Sequence, residues 1–305
     1  MKLVSYKTKA KTDSLRIGFM LDEKVIDLKE AYSQMLKSKQ EAESDPLPSD
    51  PTAFFSIGND AVAKAKVVYH FVKEHNVEDI SFDREEVYLS TPIPEPSKII
   101  CVGKNYAEHA TEMKSDIPDF PVLFAKFPNA LIGPEAAIEK NNATQKLDYE
   151  VELTAVIGKE ASHVNKEHAL DYIAGYTIGN DISARDLQKR TPQWLQGKTL
   201  DNSTPIGPWV VTADEVGNPG NLSIRSLVNG EERQSSNTEH LIFDIPFLIE
   251  FISNLITLKP GDIIMTGTPN GVGFAMDPPQ FLNAGDTVTV EIDKIGRMEN
   301  KVVDK

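Results

Sequence analysis

Cysteine is almost missing from this 305-residue chain. Cys101 stands alone, so no disulfide can close within it, and a reducing setting fits. Its place in the apolar run Ile99-Ile100-Cys101-Val102 points to a buried structural thiol rather than a nucleophile. Positive charge is also scarce: 32 Lys and Arg stand against 46 Asp and Glu, a net charge of −14. That deficit excludes nucleic acid as the main partner, because phosphate binding needs clustered bases. It leaves an anionic small molecule open, since a metal and a few local bases reverse the field inside a pocket. No apolar run approaches a membrane span, and Met1–Tyr6 has no signal-peptide core, so a soluble cytoplasmic protein is expected. There is no internal repeat, and no Walker or Rossmann loop. What remains, 40% apolar and 26% charged residues, is ordinary globular composition.

The chain divides at Thr91-Pro92-Ile93-Pro94-Glu95-Pro96-Ser97, where proline is too dense for a helix or sheet to continue. A small N-terminal α+β domain over 1–92 and a larger domain over 98–305 are expected. Ahead of the connector, strands are predicted over 2–7, 15–20 and 25–28 and helices over 30–39 and 59–75, with a proline-rich loop at 45–51. Beyond it, strands are predicted over 98–102, 122–127, 148–157, 208–211, 263–266 and 288–292, with apolar alternation through Ile178. A hairpin is predicted over 222–234, turning at Asn229-Gly230, and helices over 107–113, 166–173 (capped by Asn165) and 245–258.

Within the predicted strand 148–157, side chains alternate, so Glu150 and Glu152 share one face while Val151 and Leu153 take the other. Adjacent carboxylates repel unless something positive stands between them. Either Lys or Arg from a neighbouring strand supplies it, or a hard divalent cation does: magnesium, calcium or manganese. Asp148 shares the face by alternation but stands at the strand start and is left out of the ligand set. Asp181 ends the alternation through Ile178 and offers a third oxygen, unless it is simply a turn aspartate. After it Ser183 reads as the cap of a helical turn that sets Arg185 and Gln188 on one face. His109 and Glu112, three apart on a short helix, form either an exposed pair or an imidazole oriented by a carboxylate, the dress of a general base. Flanked by Gly103 and the loop 115–121, the segment that carries them reads as a mobile lid. Lys198 sits in an irregular stretch where it can reach an anion, and Gly267–Gly273 exposes backbone N–H groups that can hold a carboxylate. The other histidines (70, 75, 163, 168, 240) have no ligand pattern around them.

Taken together, Gly103–His109, Asp148–Leu153, Asn180–Gln188 and Thr266–Gly273 resemble the fumarylacetoacetate hydrolase superfamily, in particular its acylpyruvase and oxaloacetate decarboxylase-like members. The resemblance covers residues from about 98 onward, with 1–90 matching the extra N-terminal domain that some members carry. It implies a β-rich α+β fold, a mixed β-roll or sandwich, and a homodimer. It implies Mg²⁺ or Mn²⁺ held by Glu150, Glu152 and Asp181, and a catalytic dyad of His109 and Glu112. Arg185, Gln188, Lys198, Gly267 and Thr268 would hold a small anionic keto acid, with Lys198 also supporting the developing oxyanion. The implied reaction is cleavage or decarboxylation of oxaloacetate or an acylpyruvate through a stabilised enolate. Keto–enol tautomerisation or isomerisation of a 2-hydroxy-diene-dioate is the alternative. A non-catalytic metabolite-binding protein is a further one.

Overall fold

The computed structural model describes all residues except 43–44, 76–79 and 113–115, and the side chains of 12 and 13. Its spine is a pair of antiparallel strands, Val151–Ile157 and Ile173–Asn180, buried along their whole length. Strands covered on both faces need apolar side chains throughout, which is why both read as continuous hydrophobic runs away from their polar ends. Thr204–Thr212 extends the sheet beyond Ile173–Asn180, and Ile263–Met265, Ile99–Gly103 and Val122–Lys126 extend it beyond Val151–Ile157. Ile263–Met265 and Ile99–Gly103 run parallel.

The N-terminal stretch adds to the same sheet. Lys2–Thr8 pairs with Thr204–Thr212 through Lys2 opposite Val211 and Leu3 opposite Val210, completing a 12-stranded sheet. Helices Leu28–Lys39 and Asn59–Glu74 cover it, and Leu36, Phe54, Ala65 and Val68 join Val156, Val210 and Met265 in one core cluster. A separate five-stranded sheet runs in the order Glu231–Asn237, Ser223–Val228, Thr287–Ile292, Gly296–Asp304, Ile138–Lys140. Against it and the spine packs helix Ile245–Leu255, opened by Asp244, whose side chain accepts from Phe247 N–H.

Several local expectations need correction. The predicted strand 148–157 is two pieces: Leu147–Asp148 pairs with Ser183–Ala184, and the long strand begins only at Val151. Ser183 is therefore a strand residue, its hydroxyl bonded to Asp181 O, and Ala184 takes the cap position ahead of Arg185–Gln188. The segment after Asn165 is a 3₁₀-helix, Lys166–Tyr172, without a side-chain cap. Pro51 ends no structure but starts helix Pro51–Ile57, where its missing N–H is harmless. The final strand Gly296–Asp304 was not anticipated; it lies between two others and buries only alternate residues, Met298, Asn300 and Val302. Helix Ala107–Glu112 is as expected, while Met113 and Ser115 of the expected helix and lid lie outside the described residues.

Gly175 marks how closely Ile173–Asn180 packs on Thr204–Thr212, since a Cβ there would meet Val211 O at 2.3 Å. Gly175→Ala is expected to cost about 2 kcal/mol in urea unfolding. Gly220→Ala, whose nearest contact is the Asn218 side chain at 3.3 Å, should change little. Equal unfolding midpoints for the two variants would contradict this register.

Candidate functional site

Where Val151–Ile157 begins, the chain delivers Glu150 and Glu152 into a cleft, and the end of Ile173–Asn180 delivers Asp181 beside them. One carboxylate oxygen from each lies within 4.8 Å of the others, and all three residues are buried. Backbone pairing fixes this meeting: Asp181 N–H donates to Glu150 O at 2.8 Å, and Asn180 Oδ1 accepts from Glu150 N–H at 3.0 Å.

Buried carboxylates need compensation. Lys198 Nζ lies 2.6 Å from both Glu150 Oε2 and Asp181 Oδ2. Arg185 bridges Asp148 Oδ2 through Nε at 2.8 Å and Glu150 Oε1 through Nη2 at 2.6 Å. Lys126, buried at the end of its strand, holds Asp181 Oδ1 at 2.6 Å and Ile182 O at 3.2 Å. Glu152 has no basic partner among the described residues; Gly267 N–H donates to its Oε2 at 2.9 Å. The titration directions follow. Burial alone would raise the Glu150 carboxyl, but Arg185 and Lys198 outweigh it and hold it well below the usual range. Burial, then the charges of Asp181 and Glu150, push Glu152 well above its ordinary value. Burial works against the Lys198 charge, yet Asp181 and Glu150 keep its ammonium above the usual value.

Lys198 reaches this place because the turn Leu195–Lys198 packs directly on Arg185–Gln188. A Cβ at Gly197 would meet Gln188 N at 2.5 Å and Ala184 O at 2.6 Å. On the opposite wall stands the loop after Ile263–Met265. Gly267 turns it at φ +109°, where a side chain would be strained and would also press Asn105. Asn105 ties this wall together by donating to Thr266 O and Phe243 O and accepting from Phe243 N–H. Gln234 sets Thr268. Its Oε1 takes the Val151 N–H and the Ser226 hydroxyl, so Nε2 donates to Thr268 Oγ1 at 2.7 Å. The Thr268 hydroxyl proton is thereby left free to donate elsewhere.

His109 is the one buried histidine; the other five are exposed. Its Nδ1 lies 3.3 Å from Glu112 Oε2, and Glu112 Oε1 accepts from Gly271 N–H at 2.9 Å. This pairing assigns the ring tautomer, with Nδ1–H toward the carboxylate and Nε2 as the free base. A cavity of about 300 Å³ is lined by His109, Glu150, Glu152, Arg185, Gln188, Lys198 and Thr268, which brings the residues singled out in the sequence onto one wall system. Asp181, Glu112 and Gly267 stand directly behind that lining. Asp148, set aside from the acidic set, accepts from Gly273 and Phe274 N–H and anchors the glycine loop to Arg185. Cys101 is buried, and burial and then Asp181 raise its thiol, as a structural role requires. Lys126, Gln234 and Asn105 were missed by the sequence reading. Lys126 alone left a trace there, a lysine closing the apolar run Val122-Leu123-Phe124-Ala125.

The family model described as Fumarylacetoacetate (FAA) hydrolase C-terminal matches residues 98–303. The chain belongs to the fumarylacetoacetate hydrolase family. Within the family it is 43% identical to the oxaloacetate tautomerase YisK of Bacillus subtilis, over 94% of this chain and 95% of that one. It is 42% identical to a fumarylacetoacetate hydrolase domain-containing protein 2 homolog of Dictyostelium discoideum, over 99% and 97% of the two chains. The fold matches the maleylpyruvate hydrolase of Sphingobium sp. SYK-6, solved in complex with manganese (II) ion and pyruvate, at TM-score 0.76 and 27% identity. That match covers 100% of this chain and 99% of the other. The α+β, strand-rich architecture is thus the family's, and the chain is an enzyme of this family.

Because Glu152 is held above its ordinary value of 4.5, it stabilises the metal-free fold below that pH, and the contribution is lost as pH rises through its folded value. In chelator, Glu152→Gln should therefore melt higher than wild type at pH 8, with the gap closing toward pH 5. A gap that stays constant or widens toward pH 5 would contradict the unpaired-acid assignment.

Proposed function

We propose that this chain interconverts the keto and enol forms of a small 2-keto acid of the oxaloacetate kind, using a divalent ion held by Glu150, Glu152 and Asp181. The observation that carries the reading is the acidic trio itself: three buried carboxylates converge, and one of them, Glu152, has no basic partner among the described residues. A hard cation fits that donor set of oxygens, and magnesium and manganese both suit it. A bound divalent ion supplies Lewis acidity toward the keto and carboxylate oxygens of the substrate, which favours enolisation.

The rest of the chemistry belongs to the protein. Nε2 of His109 removes the proton from C3 and returns it from the imidazolium to the 2-oxygen, completing the enol, while Glu112, fixed by Gly271 N–H, orients the ring. Lys198 places a buried ammonium beside the 2-oxygen, where negative charge develops. Thr268, its oxygen already satisfied by Gln234, donates its hydroxyl proton to the substrate carboxylate, and the Gln188 amide donates beside it. Arg185 acts mainly by keeping Glu150 ionised and in place. The name of the Bacillus subtilis relative supports tautomerisation.

Cleavage or decarboxylation next to the keto group develops negative charge on the same 2-oxygen, in the enolate left when the C3–C4 bond breaks. It is the second reading, supported by the hydrolase neighbour solved with pyruvate. A non-catalytic binder would have no need of a buried His109 paired with Glu112, or of the buried Lys198. A homodimer and a cytoplasmic setting accompany this reading as family and composition expectations. Among the described residues no helix is long and apolar enough to cross a membrane.

His109→Ala should keep Mn²⁺ affinity in calorimetry and lower oxaloacetate keto–enol turnover by roughly 10²–10⁴-fold. Glu150→Ala should lose both. Equal loss of metal affinity in the two variants would move His109 out of the base role.

A further inference from the structure

Two ammonium groups in the pocket wall are left over by the carboxylate network. Arg185 is committed to Asp148, Glu150 and Gln188, and Lys198 to Glu150 and Asp181, so neither carries uncompensated charge for a second anionic group. Lys189 and Lys104 line the same cavity. Among the described residues neither has a carboxylate at ion-pair distance, and the recorded contact of Lys189 is the Phe274 ring, whose centroid lies 3.5 Å from Nζ.

Position and conformation agree. Lys189 follows the Arg185–Gln188 turn directly and is exposed, so its ammonium stands at the outer part of the pocket whose base holds Glu150 and Glu152. Partial burial, together with the like charges of Arg185 and Lys146, lowers its proton affinity, and an anion arriving beside it would relieve that repulsion. Lys104 sits at φ +56°, in the left-handed region where lysine is disfavoured and glycine is not. Strained backbone persists where the surroundings hold it, and such positions cluster at ligand sites. Here Gly103 is pressed against Trp194 on one side, and Asn105 is bonded to Thr266 and Phe243 on the other.

We propose that Lys189 and Lys104 form the subsite for the distal carboxylate of a dicarboxylic 2-keto acid, and so make the enzyme select diacids over monoacids. This rests on the keto-acid reading above. With the 2-keto carboxylate placed at Thr268 and the acidic trio, the far end of a four-carbon diacid points outward. A cavity of about 300 Å³ has room for such a diacid. The lysines recognise charge rather than performing chemistry, so they act on substrate affinity.

The test compares oxaloacetate, a diacid, with acetylpyruvate, a monoacid that enolises by the same route, in wild type, Lys189→Gln, Lys104→Gln and the double variant. The ratio of kcat/KM for oxaloacetate to that for acetylpyruvate should fall about tenfold in each single variant and further in the double. The loss should lie in the oxaloacetate KM rather than kcat. Inhibition by oxalate, which has no distal carboxylate, should not weaken in parallel with oxaloacetate. A ratio unchanged in all variants, or oxalate inhibition weakened as much as oxaloacetate binding, overturns the subsite alone. Wild-type protein that turns over neither keto acid overturns the keto-acid reading and the subsite with it.

Discussion

Everything around the site depends on balancing buried charge. Asp148, Glu150, Glu152 and Asp181 are almost wholly shielded from water, and so are Arg185, Lys198 and Lys126, the bases that answer them. An ion pair taken out of water is stable only when its geometry is good and its remaining hydrogen-bonding positions are filled. Here they are filled by backbone. The loop 267–274 hangs from carboxylates at several points: Gly267 from Glu152, Gly271 from Glu112, and Gly273 with Phe274 from Asp148. The substrate wall, the acidic trio and the His109 pair are thus parts of one network. Disturbing any acid moves a wall as well as a charge. The network stops one base short, at Glu152, and that shortfall is what a hard cation would meet.

The same network explains which parts of the site were legible in the sequence. Alternation along an extended strand put Glu150 and Glu152 on one face, and the end of an apolar run marked Asp181. Both rules are local and survive folding, even though the strand breaks between Asp148 and Val151. Spacing also paired His109 with Glu112. What local rules left open was whether basic residues or a cation answer the acids, and the structure contains both elements of the choice: three bases, and one acid without any. Gln234 and Asn105 were invisible, and Lys126 left only a faint trace, because their roles come from long-range contacts, such as the Gln234 bond to Thr268 across 34 residues. Ser183 shows the opposite failure. A serine before a helical turn has the composition of a cap, and pairing with Leu147–Asp148 overrode it.

The fold was legible in its elements and less so in their joining. The connector at 91–97 marks where the family match begins, at residue 98. The strand Lys2–Thr8 nonetheless crosses back to pair with Thr204–Thr212, and side chains from both sides of the connector fill one core. Division into units 1–92 and 98–305 stays a proposal about how the chain folds. The strand Thr204–Thr212, which flanks the spine strand Ile173–Asn180 that leads into Asp181, is kept from being an edge by Lys2–Thr8.

The central claim is that Glu150, Glu152 and Asp181 share one cation while Lys198 attends the substrate oxygen. A crystal structure of the protein soaked with Mn²⁺ and oxalate, with anomalous data collected at the manganese edge, tests it most directly. The account predicts one strong anomalous peak bounded by those three carboxylates, with oxalate reaching from it to the Thr268 hydroxyl. A peak elsewhere, or none while oxalate occupies the pocket, would contradict it.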